Sequence, residues 1–188
     1  MKTRQEDLAF LRESVPDLQE YLLSPVVYWP LGGSTRSGDG GLSRLSLGLL
    51  LLTMKRLHGS QPAVAEHQDI QQLLAKIEEI HIQWKTNWSK KATEEFGARL
   101  RLWNAFLNEA RDDPKHAQVE YANKVSWRSM LELLKQDMVA PTQPELALEQ
   151  GDTLLRVIGK SGPFVWEPEL SKEFLLDAYW FLYFQIGK

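Results

Sequence analysis

Between Pro62 and Pro114 apolar side chains return about once per helical turn: Ile70, Leu73, Leu74, Ile77, Ile80, Trp84 and Trp88, then Phe96, Leu100, Trp103 and Leu107. A single glycine, Gly97, interrupts the stretch, and almost every other residue is neutral or favourable in a helix. As one rod, residues 62–112 would reach about 75 Å. A compact chain of this size has a radius of gyration of only about 16 Å. A break is therefore expected near Thr86–Ser89, where polar capping residues cluster. One long helix that protrudes or pairs with a second copy is the alternative. Asp112-Asp113-Pro114 ends the segment.

The same reading extends in both directions. Residues 5–23 carry an apolar stripe of Leu8, Phe10, Leu11 and Val15, continued by Leu18, Tyr21 and Leu22. Pro16 predicts a break there or the first turn of a second helix, and Ser24-Pro25 a stop. From Leu42 to His58 leucines cover almost every direction around a helix axis, which places this helix in the middle of a bundle. Lys55, Arg56 and His58 suit its C-terminal dipole. Lys115–Met138 presents Val119, Val125, Trp127, Met130, Leu131, Leu134 and Met138 as one side. The capping-box pattern Thr142-x-x-Glu145 opens a further helix over about 143–158, closed by Gly159.

Beyond Lys160 the pattern loosens. Pro163 and Pro168 bracket Phe164-Val165-Trp166, and Phe174–Ile186 is dense in aromatic rings. The spacing of Leu170, Phe174, Leu175, Ala178 and Leu182 favours a helix, against a composition that suits a strand. Such a tail must dock, on its own bundle or on a neighbouring subunit. Any β content is expected as a short edge piece near Val26–Tyr28 or Phe164–Trp166. The expected fold is all-α: an irregular bundle of roughly five to seven helices around the buried apolar helix. Residues 1–188 read as one domain, with 32–41 a flexible glycine-rich loop and 160–188 an aromatic C-terminal segment packed on the outside.

Composition mainly excludes. The chain has no cysteine, which removes disulfides, thiol nucleophiles and thiolate metal sites and fits a reducing compartment. A net charge of −3 gives the surface as a whole no pull on nucleic acid or acidic lipid. Leu45–Met54 is about half a membrane span, and Met1–Leu11 lacks the apolar core of a signal peptide. A cytoplasmic protein with no membrane partner is expected. Seven tryptophans imply a wide core, an aromatic-lined cleft or a dimer contact.

Two constellations could carry chemistry. Glu78 and His81 stand three apart, so a helix would put both on one face as a metal-binding pair. Di-iron bundles use that spacing twice, with further glutamates. The nearest second copy here, Asp113-Pro114-Lys115-His116, lies at a helix start, and a solvated histidine is the ordinary alternative. The second is a basic-aromatic surface: Trp84, Lys85, Trp88, Lys90, Lys91, Arg99, Arg101 and Trp103. Nucleic-acid binders combine such charges for phosphates with rings for bases, but Glu94 and Glu95 interrupt the run. Gly32–Gly41 holds five of the twelve glycines. Gly33 and Gly38 have phosphate-loop spacing, yet Asp39 stands where a lysine is needed. Glu78/Glu79, Glu94/Glu95 and Asp112/Asp113 diverge around a helix and read as surface charges. No Gly-x-Ser-x-Gly elbow is present.

The expectation is a non-catalytic protein-interaction or scaffold protein without a cofactor. It would be a homodimer through the long central helices or the aromatic tail, or bind another protein, and nucleic acid is the less expected partner. The alternatives are a metal-dependent bundle enzyme using Glu78 and His81, a small-molecule binder with an aromatic-lined cleft, and a nucleic-acid binder using Lys85, Lys90, Lys91, Arg99 and Arg101.

Overall fold

The computed structural model describes residues 3–32, 44–58, 64–138 and 142–187, with backbone alone at 64, 65 and 142–144. Among them are six α-helices: α1 Arg4–Leu23, α2 Leu47–His58, α3 Val64–Gln83, α4 Lys85–Asp112, α5 Pro114–Lys135 and α6 Thr142–Ile158. The protein is an all-α bundle, as the apolar periodicity requires. The expectations for 32–41, phosphate spacing included, fall outside the described residues beyond Gly32. So does the Thr142 side chain of the expected capping box.

Helix α1 runs through Pro16 without stopping. Pro16 is on the solvent side, while Leu8, Leu11, Val15, Leu18 and Leu22 are buried on both sides of it. Burial of a continuous stripe outweighs one lost backbone hydrogen bond. Helix α2 begins at Leu47 rather than Leu42, because Arg44–Leu45 forms strand β2, antiparallel to β1, Trp29–Pro30.

The long central segment is two helices, and the break falls at Trp84 rather than Thr86–Ser89. No capping side chain is needed there. The Trp84 amide donates to Ile80 O and the Trp88 amide to Trp84 O, both at 2.9 Å, so the hydrogen-bond ladder survives the bend. His81 stacks on Trp88 across it with ring centres 4.4 Å apart. Helix α3 then lies along α1, tied by Arg4–Glu66 and Arg12–Asp69 ion pairs. Asp113 alone joins α4 to α5. Its amide donates to Glu109 O at 2.8 Å, its carboxylate accepts from the His116 amide at 3.2 Å, and Pro114 starts α5. The two helices form the most extensive pair in the bundle.

The C-terminal segment is not an α-helix, and many of its side chains enter the core instead of packing on the outside. It forms 3-10 helices at Pro168–Lys172 and Trp180–Tyr183, then strand β4, Phe184–Ile186, paired with β3, Gly159–Ser161. The expected short edge piece near Val26–Tyr28 is present as β1, which begins at the next residue, Trp29, whereas Phe164–Trp166 itself is not a strand and the C-terminal strands lie at 159–161 and 184–186. A Cβ on Gly159 would sit 2.5 Å from Gln185 O, so the glycine that ends α6 also admits the tail strand. Phe174, Phe181 and Leu182 are fully buried. Aromatic side chains in this tail enter the core at irregular intervals, which a straight helix would spread over opposite faces. The tail is tied instead to α5 in both directions: Tyr121 Oη donates to the tail carbonyl Phe181 O at 2.7 Å, and the tail's Trp166 Nε1 donates to the α5 carbonyl Ala122 O at 2.9 Å.

Candidate functional site

Helix α2 is central but not closed in. Leu47, Leu50, Leu52 and Leu57 are buried, while Leu49, Leu51 and Met54 are only half-buried. Helix α3 presses Ile70, Ile77 and Ile80 into the bundle and leaves Leu73 and Leu74 partly open. Between the C-terminal half of α2 and the middle of α3 this leaves a groove of ≈ 600 Å³. Its floor is Met54, Leu74, Ala75 and Leu133. Lys55 and His58 stand on the α2 edge, Gln71 and Glu78 on the α3 edge, and Glu173 at the tail. His58 Nδ1 is 3.8 Å from a Glu173 carboxylate oxygen. The Lys55 ammonium lies over the Phe174 and Tyr179 rings, 5.4 and 5.1 Å from their centres. No Phe, Tyr or Trp side chain lines the groove. Trp88 and Trp103 are consumed by the core.

Beside the groove the chain makes an exposed turn at 175–178. Leu175 and Leu176 are 63% and 55% exposed. The turn is anchored at both ends by buried rings: Phe174 and Tyr179 meet edge to face with centres 5.0 Å apart. The Tyr179 amide donates to Leu175 O at 2.9 Å, and Tyr183 Oη donates to Phe174 O at 3.0 Å.

Glu78 and His81 do share a face, with Glu78 Oε2 3.8 Å from His81 Nδ1. Among the described residues no group of three His, Cys, Asp or Glu side chains could hold a metal ion. The basic-aromatic set is split rather than gathered. Trp88, Lys91, Arg99 and Trp103 are buried, Trp84 is half-buried, and Lys85, Lys90 and Arg101 are exposed. The Lys91 ammonium donates to Ser24 O at 2.7 Å and Val26 O at 2.5 Å and faces the Tyr21 ring. Burial lowers its pKa.

Sequence reasoning missed the buried ionic networks. Glu95 is fully buried. One of its oxygens accepts from Arg99 Nε at 2.5 Å, and the other accepts from the Gly48 amide at 2.9 Å. Arg99 Nη2 donates to Ser46 Oγ at 2.9 Å, and the Leu47 amide donates to Tyr21 Oη at 3.1 Å. Together these groups satisfy the open amides at the start of α2 with a carboxylate at the positive end of its dipole. Arg128 forms a second network. It donates from Nε and Nη2 to the two oxygens of Asp152 on α6 and from Nη1 to Glu132, all at 2.9 Å, with its guanidinium over Phe181. Arg56 and Asp7 join α2 to α1 at 3.0 Å. A signal was present: Glu95 and Arg99 fall on the stripe Trp88, Ala92, Phe96, Trp103, and Arg128 on the stripe Tyr121, Val125.

These ionised groups act as struts. Burial raises the pKa of Tyr21 and Tyr121 strongly and pushes Tyr179 up to about 12. The Tyr21 and Tyr121 hydroxyls donate to backbone carbonyls, of Val27 and Phe181. Among the described residues no helix is long and apolar enough to cross a membrane. The chain matches no known protein family, no curated protein and no solved structure, so its function has to be read from this geometry.

Proposed function

We propose that this protein is a non-catalytic interaction protein whose working surface is the groove between α2 and α3 with the neighbouring 175–178 turn. One observation carries the reading. The buried charges are spent on holding helices together, whereas the groove is floored by aliphatic side chains and rimmed by opposed charges. Apolar floor and polar rim are the anatomy of a protein-docking surface. A chain with no cysteine suits a reducing cytoplasm, where the reading places it.

Titration of the folded protein with the apolar fluorophore anilinonaphthalene sulfonate, at protein concentrations near 1 µM, tests the groove. Saturable binding that weakens about tenfold or more in Ala75→Arg supports the reading. Ala75 is exposed on α3, so the substitution fills the groove without disturbing the core. Binding that is absent, or indifferent to Ala75→Arg, refutes it.

A further inference from the structure

No glycine or proline marks the corner between α3 and α4. Ile77, Ile80, Trp84 and Trp88 continue one helical stripe through it, and neither breaker occurs between Pro62 and Gly97. Local sequence favours one helix, and tertiary packing imposes the bend. We infer that this corner is a hinge that straightens when two copies meet. In each copy α3 and α4 then form one rod, and α1, α2 and α3 of one copy pack on α4, α5 and α6 of the other.

Three observations favour the exchange. First, the straight form completes a ladder. Trp84 carries hydrogen bonds into the bend and out of it, but the amides of Lys85, Thr86 and Asn87 open α4 with no capping side chain. In a continuous helix they donate to the carbonyls of His81, Ile82 and Gln83, the last of α3. Second, the bend leaves groups unused. The buried Trp84 indole N–H has no acceptor among the described residues, and nearby Ile82 is 70% exposed. Where two straightened rods run past each other at the hinge, Ile82 gains apolar cover. Third, the chain divides cleanly. Arg4–Glu66 and Arg12–Asp69 pair α1 with α3, and Arg56–Asp7 pairs α2 with α1, so the three helices leave together. The contacts they lose in their own copy are remade with the partner. Among these are Glu95 on the Gly48 amide and the Lys91 ammonium on Ser24 O and Val26 O. Exchange therefore sacrifices no core, and concentration decides between the two forms.

The test is refolding of the full chain from urea at about 1 and 200 µM, followed by size-exclusion chromatography with light scattering. The native chain should emerge as a monomer of 21.6 kDa at the lower concentration and partly as a dimer at the higher. Lys55 and Lys172 report the exchange. Lys55 stands over the Phe174 ring, two residues past Lys172, so an amine-reactive cross-linker joins the two lysines. Equal amounts of isotopically heavy and light chains are refolded together. In a monomer, or in a dimer of intact copies, this link stays within one chain. In the exchanged dimer about half of the links should join a heavy chain to a light one, since copies pair at random. Thr86 is exposed and second in α4. Proline is tolerated in a first turn but breaks a helix interior, so Thr86→Pro should keep the bent monomer and cut the dimer about a hundredfold or more.

A native chain recovered wholly as monomer at the higher concentration overturns the inference. So does a dimer whose Lys55–Lys172 links all stay within one isotope, or one that a folded Thr86→Pro chain still forms. Should Thr86→Pro lose its helical circular dichroism signal, the isotope pattern of the native dimer alone decides.

Discussion

Gly48→Ala should destabilise the protein, although glycine-to-alanine changes in helices usually help. Gly48 is the second residue of α2 and gains up to about 1 kcal/mol of helix propensity as alanine. Its new Cβ, however, would stand 2.8 Å from Glu95 Oε1, 3.1 Å from Arg99 Nε and 3.2 Å from Leu134 Cδ1. A carboxylate oxygen can often swing aside. This one is held by Arg99 while its partner Oε2 is held by the Gly48 amide, and the Glu95 side chain has no solvent to move into. Crowding a packed core costs about 1–3 kcal/mol, and a weakened hydrogen bond to a charged group about 1.5–3 kcal/mol. A net loss of about 1.5–5 kcal/mol follows, or about 3–20 °C in Tm for a chain of this length. Gly97→Ala is the control. It lies inside α4, and its Cβ would meet only Arg101 Nη1, at 3.8 Å. It should stabilise by about 0.5–1 kcal/mol. Urea unfolding followed by circular dichroism measures both, with an unchanged m-value as the check that the unfolded state is the same. A Gly48→Ala protein as stable as the native one, or a Gly97→Ala protein that loses as much, would show the Glu95 cap reasoning to be wrong.

Three further outcomes follow from the same geometry. Arg128→Met strands Asp152 in a buried position and should cost about 3–5 kcal/mol in urea unfolding, most of it recovered by adding Asp152→Leu; no recovery would mean that the pair's charges are not the issue. Tyr121→Phe leaves Phe181 O without its donor and should cost about 1–2 kcal/mol. Its amide exchange should quicken around Trp180–Ile186, and unchanged exchange there would refute the anchoring role. In alkali, the unfolded chain loses tyrosine protons from about pH 10.0, while the folded one keeps those of Tyr21, Tyr121 and Tyr179 longer. Their contribution to stability is therefore intact below pH 10 and falls as the pH climbs through 12, where Tyr179 titrates. Lys91, lowered from 10.5, acts oppositely, since the unfolded chain holds that proton more tightly and stability gains as pH rises toward 10.5. Urea midpoints that stay flat from about pH 9 to 12 would contradict the tyrosine burial.

Helices were legible because a buried stripe leaves a mark every three or four residues. Leu8 to Leu22 kept its mark across Pro16, and the stripe rather than the proline decided the outcome. Trp84 escaped notice as the bend because its ladder needs no capping side chain. The tail misled because Leu170, Phe174 and Leu182 are buried at helical spacing by coincidence, while Leu175 in the same series is exposed. Its conformation is set by partners on α5 and by Gly159, all distant in sequence. Glu95 and Arg99 looked like surface charges, and Arg128 drew no notice, because a sequence shows residue type but not the partner that makes burial tolerable. The groove was invisible for a related reason: it exists where α2 and α3 fail to close, and the gap belongs to neither helix alone.

The single-residue joint at Asp113 ties the rotational phase of one rod to the next. With no slack between α4 and α5, an amino acid inserted there would turn α5 by about 100°. Arg128 would swing off Asp152, and Tyr121 off Phe181, in one motion. The whole C-terminal third is thereby indexed to one peptide unit, so this corner should reject insertions that a longer loop would absorb.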